Sequence, residues 1–260
     1  MSINSLSCVQ SIVNKSKITV TAAPPPAAII QYVFNNNFTN LGSAGTSYNG
    51  VNNNLTFTTS NPSPSTSTNN YSILSTNGGT SNYQYFKIPA MSSIITTANG
   101  VTVTFWWSPR GNVSGDSGLA CFGSGATGTQ YSSLGGTPVT TLHCSTASSQ
   151  MKVGLSFAPG ANNSSNMNYN TWHHLALVMD IIGTTPIYSL YIDNVNIASN
   201  IAYPSGDGNN YYPTFTDFWT IGAIINSHGW GQFYGALADL SIYNSKLTAS
   251  NISGINTNLY

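Results

Sequence analysis

From residue 29 onward the chain reads as short apolar runs, often alternating with polar residues, separated by clusters of Gly, Asn and Ser. The clearest runs are IIQYVF (29–34), YQYFKIP (83–89), VTVTFWWS (101–108), LACFG (119–123) and MKVGLSF (151–157). They continue with HHLALVMD (173–180), IYSLYID (187–193), FWTIGAI (218–224) and ALADLSIY (236–243). In HHLALVMD a period of two puts His174, Ala176, Val178 and Asp180 on one face and His173, Leu175, Leu177 and Met179 on the other. Both faces are rather apolar, which predicts a central strand covered on both sides. The one helical signal is TASNISGI (248–255), enough for a single short turn. Many short strands without intervening helices predict an all-β sandwich or barrel.

The ends and the low-complexity stretches set the organisation. Residues 1–28 close in TAAPPPAA, where Pro24, Pro25 and Pro26 impose a polyproline-type spacer. They predict an N-terminal arm or Pro-rich linker ahead of a sandwich spanning 29–260. The polar stretch 35–82 carries no clear strand pattern, and NPSPSTSTNN (61–70) is its most loop-like part. The opening residues lack the apolar core of a signal peptide, so none is expected. No apolar run is long enough for a membrane-spanning helix, so no membrane span is expected.

Composition narrows the function. Only 5% of residues are charged, the formal net charge is +0, and there is no Glu. Five Lys and Arg110 cannot build a basic face, so a nucleic-acid partner is excluded. Asn, Ser and Thr account for 97 residues. The surface is therefore amide and hydroxyl, and with no net repulsion between copies association is favoured. Cys8, Cys121 and Cys144 form no disulfide framework.

Three segments, in order, carry a family resemblance. VTVTFWWSPR (101–110) looks like a strand ending in F-W and Pro. WHHLALVMD with YSLYIDNVNIAS (188–199) looks like a W-H-H strand and its partner. FWTIGA with FYGALADLSIYNSKLTASNI (233–252) looks like the I-G strand and the F-x-G…D-D…I-Y-N…L-T ending. Together they resemble the concanavalin A-like lectin/glucanase superfamily, in its laminin-G-like or pentraxin-like branch; YVFNNNFTNLGSAG (32–45) resembles that family's opening motif. The resemblance implies two stacked antiparallel sheets in a jelly-roll sandwich.

It also frames the candidate chemistry. The superfamily's glucanases use an E-x-D-x-x-E strand, because retaining hydrolysis needs two carboxyl groups about 5–5.5 Å apart. This chain has no Glu and its six Asp are scattered, so it is not expected to be an enzyme. Adjacent His173 and His174 face opposite ways on a strand, and the resemblance makes them structural, beside Trp172. It implies one structural calcium, with Asp239 as the ligand. Ala238 stands where the family has a first Asp, and Asn35, Asn36 and Asn40 replace its N-terminal acids, which weakens a calcium site. The alternative is that Asp239 only hydrogen-bonds a neighbouring turn. Trp106 and Trp172 match buried family positions, while Trp107 alternates to the other face. The loops SHGWGQFYG (227–235) and GDGNNYYPTF (206–215) offer His228, Trp230, Tyr234, Tyr211 and Tyr212 for stacking on a glycan or packing on a protein.

Two functions of different class follow. The first is a non-catalytic structural or surface component of a large assembly, contacting other subunits, with a virion or another extracellular surface as its setting. The second is a lectin-like carbohydrate-binding module. A glycoside hydrolase is a distant third.

Overall fold

The computed structural model describes residues 25–60, 62, 72–75, 84–96, 99–110, 117–122, 140–147, 150–155, 164–180, 187–202, 215–216, 218–222, 231–232 and 234–257. In chain order the strands are β1 (Ile30–Tyr32), β2 (Val51–Asn53), β3 (Thr56–Thr58), β4 (Ser72–Ser75), β5 (Tyr85–Ile88), β6 (Val101–Pro109), β7 (Ser117–Phe122) and β8 (Thr140–Ala147). They continue as β9 (Gln150–Leu155), β10 (Ser164–Asn168), β11 (His173–Asp180), β12 (Ile187–Ile192), β13 (Val195–Ala202), β14 (Trp219–Ile221), β15 (Gly231–Gln232) and β16 (Gly235–Tyr243), before helix α1 (Ala249–Thr257). None of these helices is long and apolar enough to cross a membrane.

The strands form two eight-stranded sheets. The first runs β13-β12-β11-β6-β16-β4-β3, with β1 also paired to β16. The second runs β10-β9-β8-β7-β14-β5-β2, with β15 beside β7. All described pairings are antiparallel except β15 with β7. This is the sandwich that the alternation and the resemblance imply.

Alternation assigns the core. Val103, Phe105 and Trp107 of β6 join Leu175 and Leu177 of β11 in one buried cluster. From the second sheet Phe86 and Trp219 fill the same interior. The outer face of the first sheet is covered as well. There Ile252 and Ile255 of α1 pack with Ala176, Val178 and Tyr243. Burial on both faces explains why β11 reads as apolar throughout, with seven of its eight residues buried. The Trp pair is thereby resolved: Trp107 is fully buried inside the sandwich, and Trp106 is buried on the outer face beside His174. Trp172 is only half-buried, because it precedes β11 rather than lying in it.

The topology also defines two ends. At one, the start of β11 meets the end of β6 and, through β6, the start of β16: His173 pairs in register with Trp107, and Gly235 with Pro109. At the other, the Asp180 end of β11 lies beside Ile187 and near Lys246, which follows β16.

Candidate functional site

The first end gathers polar groups around backbone that the strands fix. Chain leaving β6 is held by the Arg110 N–H donating to the Tyr234 carbonyl at 3.0 Å, and Pro109 accepts from the Asn170 N–H at 2.6 Å. Between β12 and β13 the two-residue turn Asp193–Asn194 has both φ values positive, 50° and 67°. Such a turn matches strand twist and favours Asn and Asp. It swings the Asp193 carboxylate onto β11, where Oδ2 meets His173 Nδ1 at 2.6 Å and Oδ1 accepts the His174 N–H at 2.9 Å. Burial pushes the Asp193 carboxyl upward, but those hydrogen bonds and the neighbouring imidazoles outweigh it and hold it below its ordinary value. His174 is driven to about 4 by burial, against the opposing pull of Asp193. It is therefore a neutral core residue at neutral pH, and the pair is structural, as the opposite-face argument implies.

Of the aromatic candidates, Tyr234 belongs to this end, half-buried and packed against the core. His228, Trp230, Tyr211 and Tyr212 lie outside the described residues. Their flanks differ, however. Segment 223–230 joins the described chain at Gly222 and Gly231, and Gly231 pairs with Ser117, where the chain arriving from β6 enters the second sheet. Segment 203–214 starts from Ala202, paired with Ile187, and ends at Phe215, whose carbonyl accepts from Met91. Those flanks lie at the opposite end.

Asp239 sits elsewhere, on the outer face of the first sheet. The β16–β6 register runs Ala238 to Trp106 and then Ser241 to Thr104, so Asp239 and Leu240 together oppose Phe105. This bulge, with φ 43° at Asp239, keeps Leu237, Leu240 and Ile242 all in the core. It leaves Asp239 in a pocket of about 220 Å³. The polar floor is Asp239, Gln31, Ser241 and Tyr243. Pro25, Pro26, Ala28 and Ile255 contribute apolar wall. Gln31 Nε2 donates toward Asp239 Oδ1 at 3.4 Å and the Ser241 hydroxyl at 3.5 Å. Burial, then the negative charge of Asp239, raises the Tyr243 phenol above its ordinary value.

These residues fit calcium poorly. The pocket offers one carboxylate, approached by two donors, whereas calcium takes six to eight oxygens, several usually from carboxylates. Asn40, standing for a family acid, is used up in its own loop: Oδ1 accepts from the Gln31 and Gly42 N–H groups and Nδ2 donates to the Gly45 carbonyl. Among the described residues no group of three His, Cys, Asp or Glu could hold a metal. Sequence reasoning picked out Asp239 but missed Gln31, 208 residues away, and Tyr243. The family motif marked the first; nothing local marked its partners.

A family model described as the concanavalin A-like lectin/glucanases superfamily, of laminin-G type, matches residues 77–253. No curated protein sequence matches the chain. Among solved structures, domain 4 of AbnA, a GH43 extracellular arabinanase from Geobacillus stearothermophilus in complex with arabinotriose, is similar at 14% identity and a TM-score of 0.55, covering 89% of this chain and 99% of that one. The botulinum neurotoxin serotype D binding domain is similar at 12% identity and a TM-score of 0.53, covering 88% of this chain and 50% of that one. A botulinum neurotoxin type C structure, described as entering cells through two ganglioside molecules, gives 13%, a TM-score of 0.52, and 88% and 50% coverage. At these identities the likeness is one of fold.

Proposed function

The chain belongs to the concanavalin A-like lectin/glucanase superfamily, and from that premise we propose that it is a non-catalytic, lectin-like module binding carbohydrate at the Tyr234 end of the sandwich. The observation that carries binding over hydrolysis is the dispersal of the described carboxylates. Asp180 is bound to Lys246 at 2.6 Å at one end of β11, and Asp193 to His173 at the other. Strand rise separates those ends by roughly 20 Å. Asp239 lies on β16, three strand positions from β12, roughly 14 Å at ordinary interstrand spacing. Glycosidases hold their two carboxyl groups within about 5–9.5 Å. An aromatic ring at a loop-bearing end, on a surface of hydroxyls and amides, suits stacking on and hydrogen bonding to a sugar. Two of the fold neighbours, the arabinanase domain with arabinotriose and the neurotoxin linked to gangliosides, support the same ligand class. The test is a glycan array followed by analysis of the bound oligosaccharide. Saturable binding with the sugar recovered intact is expected; cleaved product would overturn the reading.

A second reading, a component of a large assembly such as a virion, is favoured by the zero net charge and by the Pro25–Ala28 segment. That segment is anchored on the outer face, where Ala28 packs with the α1 cluster and accepts from the Ser43 N–H at 3.2 Å. Residues 1–24 thus lead off a fixed point, available for contact with other subunits. Light scattering on the full chain and on a chain lacking 1–24 distinguishes the two: an oligomer that becomes monomeric supports assembly.

A further inference from the structure

The pocket at Asp239 is separate from the Tyr234 end and is not explained by either reading above. We propose that it binds a primary ammonium group on a short alkyl chain, the chemistry shared by a free alkylamine and the lysine side chain of another protein.

Four observations converge. The floor is rich in acceptors: Asp239 brings two carboxylate oxygens, and the donors of Gln31 and Ser241 are already directed at that carboxylate. An ammonium brings three donors and no acceptor, which is the complementary set. Second, the electrostatics favour a cation. Asp239 is nine-tenths buried, its charge acts on Tyr243, and no cationic side chain is among the lining residues. Third, about 220 Å³ is several times the roughly 30 Å³ that a water occupies, too roomy for a bare ion. The Pro25, Pro26, Ala28 and Ile255 walls suit methylene groups. Fourth, the bulge turns Asp239 outward with a positive φ, a conformation that Asn adopts as readily. The turn itself therefore has no need of the carboxylate.

A neutral sugar fits this floor less well, since it would need donors that Gln31 and Ser241 already commit to Asp239. The experiment is isothermal titration of the full chain with n-butylammonium chloride and, separately, n-butanol at matched ionic strength. Saturable binding of the ammonium but not of the alcohol is expected. Asp239→Asn should weaken it by about ten- to a hundredfold, the loss of one charge-assisted hydrogen bond, with the circular dichroism unchanged. Equal binding of n-butanol, no binding of either, or unchanged affinity in a folded Asp239→Asn chain would overturn the proposal. If that variant does not fold, the ammonium-against-alcohol comparison on the unaltered chain decides. A third titration with Nα-acetyl-lysine N-methylamide separates the sources. Tighter binding than n-butylammonium points to a lysine of a partner, and equal binding to a free amine.

Discussion

His173 Nδ1 lies 2.6 Å from Asp193 Oδ2, and this contact ties the β12–β13 turn to the first residue of β11. The same carboxylate accepts the His174 N–H, so one side chain fixes two strands and a turn. Asp193→Ala removes both interactions and leaves the largely buried His173 without its acceptor. A loss of about 1–3 kcal/mol in urea unfolding is expected. Because the folded carboxyl is held below its unfolded value, its contribution is present above about pH 4 and is lost as pH falls further. A variant whose unfolding midpoint matches the parent at neutral pH would contradict this role.

His174 sets a different window. Its folded value of about 4 lies below the ordinary imidazole value near 6.5, so the unfolded chain takes up a proton first. Stability is complete above about pH 6.5 and falls by about 2–3 kcal/mol on the way down to pH 4.5. His174→Gln should flatten that slope in urea titrations at the two pH values. An unchanged slope would show that some other group titrates.

Gly50 is a steric requirement. A Cβ there would run into the ring of Phe86, which is fully buried and edge-packed against Tyr32 and Phe34. Gly50→Ala should cost about 1–3 kcal/mol by overpacking, read from the urea midpoint. A neutral substitution would mean that the loop yields instead.

Calcium should leave the protein unmoved. With one carboxylate at Asp239 and Asn40 consumed by its loop, millimolar calcium and EDTA are expected to give the same melting temperature. A calcium-dependent rise that Asp239→Asn removes would contradict this account of the pocket.

Legibility in the sequence followed burial. HHLALVMD appears as β11 with the expected ends, because a strand covered on both faces carries its signal in every residue. The stretch 35–82 instead holds β2, β3 and β4, whose described residues are largely Asn, Thr and Ser. Their place is set by pairing with β5 and β16, which alternation cannot reveal. TASNISGI predicts a single turn, but Thr248 caps a nine-residue helix that Ile252 and Ile255 seal onto the sheet. The Asp239 bulge was invisible for a related reason. Strict alternation would put Leu237 on the same face as Asp239, and only the register against β6 shows the extra residue. The Tyr234 end was legible as a loop rich in aromatics. Which sandwich end each aromatic loop joins was not, since that depends on strand order.

The central claim, carbohydrate binding at the Tyr234 end, is tested most directly by titrating a glycan identified on the array into the parent chain and Tyr234→Ala. The account predicts saturable binding in the parent and a loss of about tenfold or more in a variant that keeps its circular dichroism. Equal affinity in the two, or no glycan bound by the parent, would contradict it.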